Sequence, residues 1–295
     1  MADMASRIAS LRSLLPELES TLNSFASSSS RFRIVRTVNP SNSQPKTLYI
    51  LDSSFNPPSI AHLALATCAI TRPAHADAQP HRLLLLFSTH NADKAPSAAS
   101  FVQRLALMTI FAEDLSRSLV HNTDSSAPAR TGSETDLNSQ ANIPIDIGLT
   151  KEPYYTDKSV AIASTSPPAY PSHPAHVHLT GYDTLIRFCN PKYYPNTSPP
   201  LSALAPFFEA GHRLRVTQRP EDERDKSSSE FGSVQEQRAF LERLRDGQLE
   251  DRGRWVEGDK RGGDGKRHGT TKVQQPVVFG RGTRGIPKET TTCPT

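Results

Sequence analysis

Between residues 47 and 245 the chain alternates two hydrophobic rhythms. The segments "TLYILD" (47–52) and "HRLLLLFSTH" (81–90) are near-continuous apolar runs of strand length, the pattern of strands buried on both faces. "IPIDIGLT" (143–150), "AHVHLTG" (175–181) and "HRLRVTQRP" (212–220) read as further strands. Between them, "SFVQRLALMTIFAEDL" (100–115) and "VQEQRAFLERLR" (234–245) carry apolar positions at spacings of three and four, the mark of helices with one buried face. Two more helices are predicted, one beginning near Pro58 or Ser59 and one near Asp183. Strands alternating with helices predict an α/β fold: a Rossmann-like, doubly wound parallel sheet with helices on both faces.

The flanks behave differently. Ile8, Leu11, Leu15, Leu18 and Leu22 make an amphipathic helix of residues 4–24, and the Ser-rich "SFASSSSRF" reads as a hinge. Residues 1–45 are therefore expected to be a helix and linker, and 46–246 the main domain. Residues 122–142, "NTDSSAPARTGSETDLNSQAN", form a polar, disordered insertion in that reading. Beyond residue 247 glycines and scattered Lys and Arg replace large apolar side chains, so 247–295 is expected to be a mostly disordered tail.

Composition narrows the function classes. With 36% hydrophobic residues and 24 prolines in 295, much of the length is loop or tail. A net charge of +4 permits anionic ligands, but without interleaved aromatics it argues against nucleic acid. Cys68, Cys189 and Cys293 are odd in number and far apart, which speaks against a disulfide framework or zinc site and for a reducing compartment, cytoplasmic or nuclear. No apolar run reaches membrane-span length. The first residues lack a signal-peptide core, and Asp3, Glu17 and Glu19 interrupt a transit-peptide pattern.

The strand 47–52 runs into "DSSFNPPSIAH". In open parallel sheets, ligands bind beyond the carboxyl ends of the strands. Small residues let a phosphate approach the backbone, and a helix start offers free N–H groups and a positive dipole end. His62, one turn into that helix, is placed to aim a ring nitrogen at a phosphate oxygen. The other reading is a strand–loop–helix with a satisfied core histidine.

These residues resemble the Gly-x-Phe-x-Pro-x-His-x-Gly-His signature of a nucleotidyltransferase superfamily, here Ser53-Ser54-Phe55-Asn56-Pro57-Pro58-Ser59-Ile60-Ala61-His62. The Phe-Asn-Pro-Pro form looks most like nicotinamide mononucleotide adenylyltransferases of the divergent fungal type. Ser59 stands where His or Thr is usual and Ala61 where Gly is usual. The resemblance implies a catalytic His62 with Ser59, and a phosphate cradle of Ser53, Ser54, Phe55 and Asn56. Lys94 in "FSTHNADK" looks like the family's phosphate-contacting lysine, although a solvated surface lysine fits as well. Arg104 and Met108 resemble its Arg-x-x-Met helix. Tyr155 in "EPYYTDKS" falls on the segment that faces the nicotinamide, where it either stacks on the ring or simply packs. Gly181 and Asp183 match a Gly-x-Asp element that meets adenosine, and helix capping is the other account of Asp183.

A late Ile-Ser-Ser-Thr-x-x-Arg segment of the family holds the triphosphate. Its nearest counterpart here is "HGTTKVQQP", in which Thr270 and Thr271 supply the hydroxyl pair. Gln274 stands where Arg is expected, and Pro276 forbids an ordinary helix from continuing. The implied activity is adenylyl transfer from ATP, accompanied by Mg²⁺, to nicotinamide mononucleotide. The alternatives are another small-acceptor nucleotidyltransferase and a non-catalytic nucleotide-binding or interaction protein on the same fold.

Overall fold

A computed structural model describes residues 2–90, 100–124, 143–218, 232–245 and 277–279. The chain divides into two compact units, residues 1–71 with 79–174, and residues 72–78 with 175–295.

The first unit contains α1 (Ala2–Ser27), β1 (Phe32–Val38), β2 (Thr47–Asp52), α2 (Ile60–Thr71), β3 (His81–Ser88), α3 (Phe101–Asp124), β4 (Ile145–Thr150) and α4 (Tyr155–Ala163). β2, β3 and β4 are parallel, with Tyr49 opposite Leu83 and Leu85 opposite Ile147. β1 closes the edge antiparallel to β4, Phe32 opposite Thr150, with a register shift between Ile34 and Arg36. Leu83 to Phe87 have no exposed surface, as a strand covered on both faces requires. Ile50, Leu84 and Leu86 pack with Ala161 and Ile162 of α4, and with Phe32 and Tyr170. Successive strand residues point to opposite faces, so Phe87 looks the other way. It meets Phe101 of α3 at 5.3 Å, edge to face. Helices therefore cover both faces of this parallel sheet, and the expected α/β class holds. Each fully buried Leu, Ile or Phe contributes about 1.5–3 kcal/mol.

Local chemistry sets the helix starts. Ser100 and Gln103 form a reciprocal capping box at α3: the Ser100 N–H donates to Gln103 Oε1 at 2.8 Å, and the Gln103 N–H donates to Ser100 Oγ at 3.2 Å. α1 accommodates Pro16 in its interior, forgoing one backbone hydrogen bond, and buries Leu18, Leu22 and Phe25.

A fully buried carboxylate sits inside this unit. Asp146 of β4 has no exposed surface. It accepts from Arg82 Nη1 at 3.2 Å, the Tyr170 hydroxyl at 2.9 Å and the Thr37 hydroxyl at 2.7 Å. Burial and the adjacent carboxylate push the Tyr170 hydroxyl pKa well up, so it stays a donor. Three donors satisfy the carboxylate and tie β1, β3 and the segment after α4 to β4.

The second unit contains β5 (Ala175–Gly181), α5 (Tyr182–Phe188), α6 (Ala205–Glu209), β6 (Arg213–Thr217), α7 (Val234–Arg245) and β7 (Val277–Phe279), with short 3₁₀ turns at Pro191–Tyr193 and Pro200–Leu204. β5 and β6 are parallel, and β7 is antiparallel to β6. Ser233 and Glu236 build a capping box at α7, with contacts of 2.7 and 3.2 Å. His176 stacks flat on His212, ring centroids 4.2 Å apart and 8° between planes.

Several expectations are corrected. Residues 32–38 are a strand of the sheet, so 1–45 is more than a helix and linker. Its alternation is short and only Phe32 is fully buried, so the flanking serines and arginines mask it. Residues 155–163 form a helix that the periodicity did not disclose. α3 runs to Asp124, into the segment assigned to the insertion, and 125–142 lie outside the described residues. Within the tail, Val277–Phe279 pairs with β6 as a strand, and the remainder of 247–295 is outside the described residues. Among the described residues no helix is long and apolar enough to cross a membrane.

Candidate functional site

The loop 53–59 leaves the carboxyl end of β2. The Ser53 N–H donates to Leu86 O at 3.2 Å, carrying the β2–β3 ladder one residue past the strand. Phe55 then adopts φ +43° with its ring fully buried. That left-handed backbone costs a non-glycine residue about 1–2 kcal/mol. The phenyl ring lies 5.1 Å from His62 and 6.3 Å from Phe111 of α3. Burial of an aromatic side chain outweighs the backbone cost and anchors the loop from beneath.

α2 begins at Ile60, which makes Ser59 its N-cap. The Ser59 carbonyl accepts the Leu63 N–H at 3.2 Å. Three residues into the helix, His62 reaches back: its Nδ1 accepts the Ser59 backbone N–H at 2.9 Å, with Ser59 Oγ also at 2.9 Å. This is half a capping box, with imidazole in the place usually taken by Glu or Gln. Because a backbone N–H only donates, Nδ1 must be the acceptor, which puts the proton of the neutral ring on Nε2. Nε2–H then donates to Ser53 Oγ at 2.8 Å. His62 is half-buried, while Ser59 and Asn56 are exposed and Ser54 is half-buried. Ala61 is exposed as well.

His62 is thus both a satisfied histidine and a histidine at the carboxyl end of the sheet. Its Nε2–H already has a partner in Ser53. An anion arriving at this loop would compete for that proton or accept from the Ser53 hydroxyl behind it. The arrangement supplies a neutral N–H donor of fixed tautomer, several small hydroxyl side chains and a helix N-terminus, suited to phosphate oxygens.

Tyr155 opens α4 and is half-buried. Its ring lies 5.0 Å from the ammonium of Lys158. Lys158 is buried and bonds the carboxylate of Asp52, the last residue of β2, at 2.5 Å. The sequence reading missed both Asp52 and Lys158. The spacing of Tyr155 and Lys158 places them one helical turn apart, but no local signal discloses that the charge is buried.

Arg104 is buried rather than solvated, its guanidinium 5.7 Å from the Phe87 ring and 5.4 Å from Phe101, and burial lowers its pKa. Met108 is also buried. Both belong to the core of α3.

Gly181 and Asp183 lie in the second unit. Gly181, not Asp183, is the N-cap of α5, at φ −79°. A Cβ on Gly181 would fall 2.6 Å from Asp183 Oδ1, so the carboxylate folds back over the glycine and would have to swing aside for a larger residue. Lys94, Thr270, Thr271, Gln274 and Pro276 lie outside the described residues. Among the described residues no cluster of three or more His, Cys, Asp or Glu side chains is arranged to hold a metal ion.

The chain is 31% identical over 193 residues to a protein of Schizosaccharomyces pombe named "Putative nicotinamide mononucleotide adenylyltransferase". The match covers 65% of this chain and 61% of that relative, so the chain spans about three fifths of its relative's length. It bears out the resemblance carried by the Phe-Asn-Pro-Pro loop and His62. No family model and no solved structure matches the chain.

Proposed function

We propose that this protein is a nucleotidyltransferase that joins ATP and nicotinamide mononucleotide into NAD, releasing pyrophosphate. The observation that supports it is the clamped His62, held by Ser59 and Ser53 at the carboxyl end of a parallel strand, together with likeness to a relative bearing that name.

In this reading the 5′-phosphate oxygen of the mononucleotide attacks the α-phosphorus of ATP in line, and the α–β bridging oxygen leaves with pyrophosphate. Such a reaction asks for positioning and charge stabilisation more than covalent work by the protein. His62 Nε2–H and the hydroxyls of Ser53, Ser54 and Ser59 meet the phosphate oxygens, with Asn56 and the start of α2 completing the cradle. Phe55 holds the loop in place. Lys94 contacts the mononucleotide phosphate, Tyr155 offers its ring to the nicotinamide, Gly181 and Asp183 receive the adenosine, and Thr270 and Thr271 hold the triphosphate end. Mg²⁺, carried in with ATP as its counter-ion, would supply charge neutralisation for the leaving pyrophosphate.

A coupled assay detecting NAD from ATP and the mononucleotide tests the proposal. Turnover by the wild-type chain that collapses in His62→Ala supports it. Folded protein with no turnover, or turnover indifferent to His62→Ala, overturns it.

A second reading is favoured by Gln274 and Pro276 in the counterpart of the triphosphate-holding segment, and by the strand that follows at Val277–Phe279. In that reading the fold binds nucleotide without transferring it. Calorimetric ATP binding with no pyrophosphate release would separate the two.

A further inference from the structure

Immediately before the phosphate loop stands a charge of the wrong sign. Asp52 ends β2 one residue ahead of Ser53, and a bare carboxylate there would repel phosphates across a short, poorly screened distance. Leu48 and Ile50, on the same face of the strand, are completely buried with α4. An apolar side chain at position 52 would continue that face. The chain instead places an acid there and closes Lys158 onto it, both side chains less than one-tenth exposed. Replacing a buried ion pair by apolar residues is often neutral or stabilising, so stability is a weak reason for such a pair. Tyr155, one turn earlier on α4, lies against the same ammonium.

The geometry points to Lys158 as a positioning residue that masks Asp52, holding the end of β2 electrically neutral so that the loop from Ser53 to Ser59 accepts phosphate. The inference rests on the phosphate-binding role proposed above for that loop. It assigns Lys158 no contact with substrate: the ammonium acts through the carboxylate it neutralises. Removing Lys158 alone exposes the carboxylate. Removing both charges restores a neutral strand end, and removing Asp52 alone leaves an extra cation near the phosphates.

The test is a charge cycle with Lys158→Met, Asp52→Asn and the double variant, read by calorimetry with inorganic pyrophosphate and with ATP. Lys158→Met is expected to weaken both anions about tenfold, the scale of one unscreened like charge nearby. Asp52→Asn is expected to bind as well as wild type or more tightly, and the double variant to return to within about threefold of wild type. In a turnover assay Lys158→Met raises KM for ATP and mononucleotide far more than it lowers kcat. If Lys158→Met does not fold, Asp52→Asn and the double variant, which bury no unpaired carboxylate, carry the test.

The mask is overturned if the double variant binds as weakly as Lys158→Met, if Asp52→Asn weakens binding, or if Lys158→Met binds normally. The charge pattern without NAD formation removes the proposed reaction and leaves the mask standing. NAD formation without the charge pattern does the reverse. A wild-type chain that binds neither anion removes both.

Discussion

The backbone N–H of Ser59 donates to Nδ1 of His62 at 2.9 Å. That one bond starts a helix and fixes the tautomer of a histidine, so the same contact is structural and chemical. Two kinds of variant separate the roles, because the helix start depends on Nδ1 and the proposed phosphate contact on Nε2–H.

His62→Ala removes both, and turnover should fall by about 10²–10³, the loss typical of one preorganised donor. The lost cap should cost about 1 kcal/mol. His62→Gln keeps a side chain able to reach the Ser59 N–H, so it should recover much of the stability and little of the activity. Urea denaturation beside the NAD assay measures both.

The Asp146 network should tolerate loss of one hydroxyl better than loss of its cation. Tyr170→Phe removes one of three donors and should cost about 1–2 kcal/mol. Arg82→Ala leaves a buried carboxylate without its counter-charge and should cost about 3–5 kcal/mol. Equal losses in chemical denaturation would contradict the roles assigned to the two donors.

Acid should destabilise the second unit through His176 and His212. Burial, reinforced for His176 by the stacked His212, lowers their pKa values from the usual 6.5 to about 3 and about 4. Both folded values lie below the unfolded one, so the unfolded chain binds more protons between pH 6.5 and pH 3–4. Their contribution is therefore complete above pH 6.5 and is lost as pH falls through that window, at up to about 1.4 kcal/mol per pH unit for each histidine. His176→Phe should flatten the slope in a pH series of urea titrations, and an unchanged slope would count against it.

Gly148→Ala should destabilise the first unit. Its Cβ would fall 2.8 Å from Phe32 and 2.9 Å from Leu84, both buried. Overpacking of this kind costs about 1–3 kcal/mol, visible as a lower thermal midpoint. The edge strand β1, which carries Phe32, should show the earliest loss of amide protection.

Much of the fold was legible along the chain. The run "LLLLF" announces a strand buried on both faces, and the spacing in 100–115 announces a helix, because side-chain period and burial are local properties of the backbone. The loop after β2 was legible for the same reason: small residues, prolines and a histidine in succession describe a strand–loop–helix that can receive an anion. β1 was hidden because an edge strand with one fully buried residue carries too little pattern, and Val277–Phe279 because three residues carry none.

The sequence by itself determined the alternation of strands and helices, the position of the loop 53–59, and the presence of His62 at its end. Only the tertiary structure decided how those groups are poised. It put Ser53 and Ser59 on the two nitrogens of His62, sealed Lys158 against Asp52 across 106 positions of chain, and buried Arg104 against Phe87 and Phe101. The reason is physical: periodicity records which side of an element faces inward, whereas the charge state and partners of a polar group depend on atoms brought together from distant parts of the chain, which no local pattern encodes.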